Sequence, residues 1–202
     1  MEPRIVADFD DIVVVDKPAG WVVHDAGGDA PDLGAWVGGL APLHRLDRGT
    51  SGLVVYGRRA GASKVLEGAP LKAYLALVWG RTRPKGIVRR RLSDARRGRP
   101  LDAVTRYRTV ASLDQVSYLR LRLETGRKHQ IRRHMEGLGH PVVGDGRYRG
   151  RRLRKLPGAP ERLWLHAGQL TLADGRSFEA PLPAELAEHL ARLREDAGDR
   201  AT

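Results

Sequence analysis

The stretch Val116–Leu138, with the sequence VSYLRLRLETGRKHQIRRHMEGL, indicates most clearly what fold this chain adopts. From Leu119 to Glu124, leucine alternates with a charged residue, and this period of two is typical of a half-buried strand. After a Thr-Gly pair, Ile131, Met135 and Leu138 recur at i, i+4 and i+7, which marks one face of a helix. The two glycines that flank Leu138 are expected to end this helix. The sequence therefore predicts a strand followed directly by a helix.

Other short apolar runs extend this pattern. We predict strands at Ile12–Val15, Leu53–Tyr56 and Ala73–Trp79, a strand pair around Asp174-Gly175, and helices at residues 62–67 and from Pro183 onward. Many strands with few helices indicate an α+β fold with a central mixed, largely antiparallel β-sheet flanked by helices and loops. The length suits one domain, so we predict a single domain over residues 1–202, with a core at about 11–190 and a short polar tail at 196–202.

The charge balance favours a polyanionic partner. The chain has 36 Lys and Arg, only 6 of them Lys, against 24 Asp and Glu, for a net charge of +12. Phosphates neutralised by such cations release counterions, and the planar arginine fork binds phosphate oxygens well. The basic stretches Arg81–Arg99 and Arg147–Lys155 are expected on loops or exposed strands that contact RNA, the alternative being a solvated face. The RNA contacts predicted here are Arg89, Arg90, Arg91, Arg151 and Arg152.

Several classes of protein are excluded by residues that the chain lacks. It has no cysteine, so it has no disulfide, zinc–thiolate site, iron–sulfur cluster or cysteine nucleophile. No secretory signal or membrane-length apolar run occurs, which predicts a cytoplasmic protein with no membrane partner. His129 and His134 are five residues apart, which misses the spacing of two metal ligands on one helical face, and no nucleotide-binding glycine pattern is found. We therefore expect neither a metal nor a cofactor.

The segment His44–Gly52, HRLDRGTSG, carries the most concentrated chemistry. It places an imidazole, a guanidinium and a carboxylate in four residues just ahead of an apolar strand. In that setting Asp47 could act as an acid, a base or a nucleophile, or it could pair with Arg45 or Arg48 on the surface. A second polar cluster spans the predicted strand-to-helix junction, where a helix N-terminus with arginines in its first turns suits an anion.

These segments, taken in order, resemble the RluA-type pseudouridine synthases over roughly Asp11 to Leu190. The blocks that carry the resemblance are Val14–His24, His44–Gly52, Lys72–Gly80, Thr125–Arg132, Gly139–Asp145 and Leu165–Ala167. The resemblance implies a pseudouridine-synthase-type catalytic domain that isomerises uridine to pseudouridine within tRNA or ribosomal RNA, with no cofactor. The target base must leave the stack to be reached.

The resemblance also implies roles for individual residues. Asp47 is the catalytic residue, which either adds to C1′ of the ribose or removes a proton from C2′. A neighbouring arginine would keep it ionised; we assign this role to Arg132, with Arg127 as the second candidate, although both could instead clamp phosphates. Tyr74 is expected to stack on the uracil, and its alternative role is that of a core aromatic.

Further residues are implied to contact the RNA. Arg45 would fill the gap left by the flipped base, or pair with Asp47, and Ile131 would line the pocket, or simply pack in the core. His44, Arg127 and Lys128 complete the predicted RNA-binding set. We also expect structural hydrogen bonds from three histidines, His44, His129 and His166.

We expect the chain to begin at the catalytic domain, without the small N-terminal RNA-binding module of many relatives, and we expect this domain alone to hold the RNA, as a monomer. The competing function is a non-catalytic RNA-binding or RNA-chaperone protein on the same fold. Such a protein would need the basic surface but not Asp47, Tyr74 and Arg132 together.

Overall fold

A computed structural model describes residues 1–24, 28–68, 70–94, 98–149 and 156–199. The strands are β1 Arg4–Asp8, β2 Ile12–Lys17, β3 Ala41–Pro42, β4 Ser51–Gly57, β5 Leu71–Trp79, β6 Lys85–Arg89, β7 Leu92–Asp94, β8 Arg99–Leu101, β9 Val104–Leu113, β10 Val116–Leu123, β11 Leu165–Thr171 and β12 Ser177–Glu179. The helices are α1 Leu33–Trp36, a 3₁₀ helix Ala62–Leu66, α2 Gln130–Gly137 and α3 Ala184–Asp199. The chain divides into two compact units.

The first unit comprises Met1–Lys72 and His166–Pro181. Its strands are ordered β1-β2-β4-β11, with β3 beside β4 and β12 beside β11. β4 and β11 run parallel and the other pairs antiparallel, so this sheet is mixed. β2 and β4 are apolar and almost entirely buried, as strands covered on both faces must be. The core of this unit contains Ile12, Val14, Leu53, Val55, Ala62, Leu170, Leu172 and Ala180.

The second unit comprises Ala73–Leu165 and Leu182–Thr202. Its strands are ordered β5-β10-β9-β6, and β7 and β8 form a separate hairpin. β9 pairs antiparallel with both β10 and β6, and α2 packs against β9. The core of this unit contains Leu77, Leu113, Val116, Tyr118, Val143, Leu156, Trp164, Leu186 and Leu190.

The predicted α+β class, with mixed and largely antiparallel strands and few helices, is confirmed, and every predicted strand forms. Two details of the helices differ from the prediction. Leu138 lies beyond the end of α2 and is 42% exposed, because the helix stops at Gly137 rather than continuing its apolar face. α3 continues to Asp199, so residues 196–199 of the predicted polar tail are helical, and residues 200–202 lie outside the described part.

The single domain over residues 1–202 stays a prediction. The predicted exposure of the basic stretch Arg81–Arg99 is confirmed for β6, where Lys85 and Arg89 are exposed. Among the described residues, no helix is both long and apolar enough to cross a membrane.

Candidate active site

The segment that carries Asp47 is fastened to the loop after β2. Lys17, at the end of β2, is fully buried, and its ammonium donates to the carbonyl oxygens of Pro18 and Trp21 at 2.9 Å and of Arg48 at 3.3 Å. The backbone N–H of Gly20 also donates to the Arg48 carbonyl at 2.8 Å. A buried ammonium is tolerated only where its protons find acceptors, so this lysine fixes both loops. Asp47 is thereby held at a defined place, half-buried, just before β4.

The start of β4 is fixed by β11 of the same unit. The Ser51 hydroxyl lies 2.9 Å from Nδ1 of the fully buried His166, whose Nε2 lies 3.1 Å from the carbonyl of Ala180. Because a carbonyl only accepts, Nε2 donates to it, and the ring links Ser51 of β4 to Ala180, which follows β12. The structural role predicted for His166 is confirmed.

Gly52 allows the close approach of these two parallel strands. Its φ is +113°, and a Cβ atom placed on it would lie 2.2 Å from the carbonyl oxygen of Ala167. No other residue fits such a contact without moving backbone. Gly52, five residues beyond the candidate nucleophile Asp47, therefore allows the close pairing of β4 with β11.

His44 is a structural residue in this loop. Its Nε2 accepts from the backbone N–H of Val55 at 3.3 Å, which requires that nitrogen to be unprotonated. Desolvation, together with the nearby Lys72 charge, lowers the pKa of His44 to about 3. The predicted structural role of His44 is confirmed, and its predicted contact with RNA stays a prediction.

Arg132 is held by a buried carboxylate in the second unit. Its Nε donates to Oδ2 of Asp145 at 2.7 Å, and its Nη2 donates to Oδ1 at 2.9 Å. The Asp145 side chain is fully buried, and the backbone N–H groups of Arg147 and Tyr148 also donate to it at 2.9 Å. Burial alone would raise the pKa of Asp145, but the hydrogen bonds from Arg132 and the two amides outweigh it, so the pKa is lowered. The carboxylate is thus ionised and fixes the guanidinium in one orientation.

An aromatic side chain completes this support. The guanidinium carbon of Arg132 lies 5.0 Å from the ring centroid of Tyr148, within the range of a cation–π contact. The Tyr148 hydroxyl in turn lies 2.9 Å from Nδ1 of His129. The predicted structural hydrogen bond of His129 is confirmed, and its partner belongs to the group that positions Arg132.

The entry into α2 depends on a polar network. His129 precedes the helix in a left-handed conformation, with φ of +55°. Gln130 is buried and bridges the segment to β9: its Nε2 donates to the Val104 carbonyl and lies 3.0 Å from the Thr105 hydroxyl, and its Oε1 accepts from the backbone N–H of Arg127 at 3.0 Å. These contacts set where the helix starts and hence where Arg132, in its first turn, points.

The remaining predicted residues are placed as follows. Tyr74 is buried in β5, with 7% of its surface exposed, and Ile131 is 4% exposed on the face of α2 that also buries Met135. Arg45 and Lys128 are exposed. Their predicted roles toward uracil and RNA stay predictions, as does the ion pair between Asp47 and either Arg132 or Arg127.

The predicted RNA-binding arginines differ in how exposed they are. Arg89, Arg90 and Arg91 are exposed; Arg91 pairs with Asp102 at 3.3 Å. Arg127 donates from Nε to the Asp102 carbonyl at 3.1 Å and is half-buried. Arg151 and Arg152 lie outside the described residues.

Comparison with known proteins identifies the family to which this chain belongs. The sequence profile described as RNA pseudouridylate synthase matches residues 11–137, which is more than half of the chain and includes Asp47, Tyr74 and Arg132. The chain belongs to the RNA pseudouridylate synthase family. It is therefore an isomerase that acts on uridine in RNA, and the predicted resemblance is confirmed.

Named relatives agree with this assignment. The chain is 36% identical to Ribosomal large subunit pseudouridine synthase D of Vibrio cholerae, over 96% of this chain and 72% of that protein. It is 40% identical to an uncharacterized RNA pseudouridine synthase of Chloroflexus aurantiacus, over 90% of this chain and 66% of that protein. Among solved structures, the human RNA pseudouridylate synthase domain containing 1 is similar, with a TM-score of 0.73 and 25% identity, over 96% of this chain and 95% of that one.

Three residues of this synthase were not assigned a role from the sequence. In the sequence, Lys17 and Ser51 are ordinary polar residues at the ends of predicted strands. Their hydrogen bonds in the folded protein show that they fix the Asp47 segment. Asp145 stands in a glycine-rich turn, which marks it as special, but its partner Arg132 is 13 residues away along the chain. An acid between two glycines was the only sequence signal available for it.

Proposed function

We propose that this synthase converts uridine to pseudouridine in the RNA of the large ribosomal subunit. The observation that carries the proposal is the family match over residues 11–137, which includes the whole predicted catalytic set. The ribosomal target is supported by several relatives at 33–36% identity that are named as ribosomal large subunit pseudouridine synthases. Transfer RNA is the second candidate substrate.

The reaction is an isomerisation, so atoms balance without a co-reactant. The bond between N1 of uracil and C1′ of the ribose breaks, the base rotates while bound, and C5 forms a new bond to C1′. The proton on C5 is then lost and N1 takes up a proton. The target nucleotide is expected to leave the stack first, because an enzyme cannot reach and rotate a base that is stacked and paired within a helix.

The residues divide these tasks. Asp47 either adds through its carboxylate to C1′ or removes the C2′ proton to give a glycal, and both routes require the ionised form. Arg132 would supply the positive charge that keeps Asp47 ionised, and its fixed orientation on Asp145 supports such a role. Tyr74 would stack on the uracil and help remove the C5 proton once the new bond has formed.

The direct test is tritium release from RNA that carries 5-tritiated uridine, because loss of the C5 proton accompanies the isomerisation. We expect the wild-type protein to release tritium and Asp47→Asn, which keeps the side-chain shape, to release none while still binding RNA. Asp10→Asn is the matched control: it removes an exposed carboxylate of the same unit and should leave turnover unchanged.

Two substrate pools separate the candidate targets. Release from large-subunit ribosomal RNA but not from bulk transfer RNA would support the ribosomal assignment, and the reverse would overturn it. Turnover by Asp47→Asn would contradict the catalytic role of the aspartate. Tight binding without release from either RNA would favour the non-catalytic RNA-binding protein.

A further inference from the structure

One face of the second unit's sheet is lined with cations. In β10, Arg120 and Arg122 are exposed while Leu119 and Leu121 are fully buried, so the two faces of the strand differ sharply. The register extends this face to the neighbouring strands. Residues directly opposite one another in antiparallel strands share a face. The exposed cations that the register and the alternation place on this face are Lys85 and Arg89 of β6, Arg106 and Arg108 of β9, and Arg120 and Arg122 of β10; we call them the basic face.

The opposite face of the same strands is a conventional core. Val88, Thr105 and Tyr107 are buried, and Thr105 bonds to residues of α2, which packs against β9. Gly86 has no room for a Cβ, which would lie 2.5 Å from the Tyr107 ring. The strands therefore have a fixed inner face, and the basic face cannot turn inward without a slip in register.

The arrangement of the cations is unfavourable for folding alone. Arg108 lies directly opposite Arg120 on one side and Lys85 on the other, and Arg106 lies opposite Arg122. Like charges in directly opposed positions destabilise a sheet. Glu124, the residue after β10, pairs with Arg106 on this face. A bound polyanion would relieve this repulsion.

Protection of a sheet edge explains only part of the pattern. Cations on an edge strand discourage pairing with a second sheet, and β6 is the end strand of its series. β9 and β10 are interior strands, paired on both sides, and need no such protection. The four arginines at 106, 108, 120 and 122 therefore require another reason.

We propose that the basic face binds the phosphate backbone of the RNA substrate, outside the residues assigned to catalysis. Its cations stand about 4.8 Å apart across strands and about 6.8 Å apart along them, so the long side chains can reach separate phosphates. Arginine forks bind phosphate oxygens bidentately, and the strands give the array a rigid base. The surface would hold RNA through its backbone, without reading sequence. This inference deepens the proposed function, since it names where that RNA is held.

The test is the salt dependence of RNA binding by the double variant Arg108→Gln/Arg120→Gln. Each phosphate contact contributes about 0.7 to 0.9 to the slope of log Kd against log salt concentration. We expect the double variant to bind a transcribed fragment of large-subunit ribosomal RNA more weakly, with a slope shallower by about 1.4 to 1.8. The value of kcat at saturating RNA should not change.

The matched control is Lys64→Gln/Arg192→Gln, which removes two exposed cations from other elements and lowers the net charge equally. It should keep the wild-type slope. An unchanged slope in the Arg108/Arg120 variant, or equal losses in both double variants, would overturn the proposal, the second outcome showing an effect of net charge only. A thermal melt confirms that each variant is folded.

The outcomes also separate this surface from the proposed reaction. If the wild-type protein releases tritium but the Arg108/Arg120 variant keeps the wild-type salt slope, the basic face does not bind RNA and the proposed reaction still stands. If RNA binding shows the expected change in slope but no RNA is isomerised, the proposed reaction fails and the surface stands. Binding of an acidic protein, with no effect of these substitutions on RNA, would assign the surface to a different partner and contradict the inference.

Discussion

Asp145 receives four hydrogen bonds, two from the guanidinium of Arg132 and two from backbone amides. A carboxylate with four hydrogen bonds can stay ionised while fully buried. Its two bonds with Arg132 hold the guanidinium in one orientation. Catalytic groups gain rate from being held in place before the substrate arrives. Asp145 is thus a positioning residue for Arg132.

Asp145→Asn should lower kcat by about ten- to a hundred-fold, with a smaller effect on KM, because Arg132 loses its charged partner but the side chain keeps its volume. Breaking a buried pair also costs about 3–5 kcal/mol of stability. Rates are therefore measured per folded protein, with the folded fraction taken from a melt.

Glu185→Gln is the matched control for this substitution. It breaks another arginine–carboxylate pair of the same unit, in which Arg162 donates to Glu185 at 2.8 Å. We expect a lower Tm but an unchanged kcat per folded protein. Equal kcat losses in both variants would show that Asp145 acts only through stability.

At this scale the sequence predicted which residues matter better than it predicted their partners. The resemblance selected Arg132, and the glycines around Asp145 marked a tight turn. The pairing depends on Gly144, whose φ is +76° and which could not carry a Cβ, because that atom would lie 1.9 Å from the Arg162 carbonyl. Such packing between distant segments leaves no periodic signal in the sequence.

Among the elements, the parallel pair β4–β11 depends on one glycine. Gly52→Ala should destabilise the protein by about 2–5 kcal/mol, the sum of about 1–2 for a strained left-handed φ and about 1–3 for the overlap with Ala167. Chemical denaturation measures the loss. Gly146→Ala, at a glycine with nothing within 4 Å of a new Cβ, should stay within about 0.5 kcal/mol of wild type. Equal stabilities of the two variants would contradict the close approach.

Elements with a local pattern were predicted well. The alternation in β10 and the apolar spacing of α2 are properties of single segments, and both elements form where expected. The pairing of β4 with β11 joins residues 115 positions apart, as between Ser51 and His166, and no short-range pattern contains it. The left-handed His129 is likewise set by the Gln130 network rather than by its own preference.

For the whole molecule, buried histidines make stability depend on pH. Desolvation lowers the pKa of His44 to about 3 and lowers the pKa values of His134 and His189. In the unfolded chain these groups take up protons near pH 6.5, whereas their lowered pKa values in the folded protein delay protonation to more acidic pH, so acid favours unfolding. Stability should fall as pH falls below about 6.5, with a slope of up to about 1.4 kcal/mol per pH unit for each histidine.

His44→Gln isolates one of these contributions. The amide oxygen can still accept from Val55, but no group titrates, so we expect a shallower fall in the free energy of unfolding between about pH 7 and about pH 5. His24→Gln, at an exposed histidine of the same unit, is the matched control for the loss of an imidazole. The same slope in all three proteins would show that His44 does not contribute.

The composition predicted a basic protein that binds RNA, but it could not place the charge. Arg106, Arg108, Arg120 and Arg122 are scattered among acids and apolar residues in the sequence, and only the register of β9 and β10 gathers them on one face. Runs such as Arg81–Arg99 are easy to see in a sequence. An array assembled from alternate positions of neighbouring strands is not.

The hydrogen bonds of the Lys17 ammonium determine which neighbouring residues can vary. The acceptors of its ammonium are the carbonyl groups of Pro18, Trp21 and Arg48, which every residue type possesses. The bonds to Lys17 therefore place no demand on the side chains of Pro18 and Trp21, whereas Arg48 also donates from its Nε to the Gly20 carbonyl at 3.1 Å. Within this set of bonds the demand for one amino-acid identity falls on Lys17, so residues 18 and 21 can vary while the loop that bears Asp47 stays fixed.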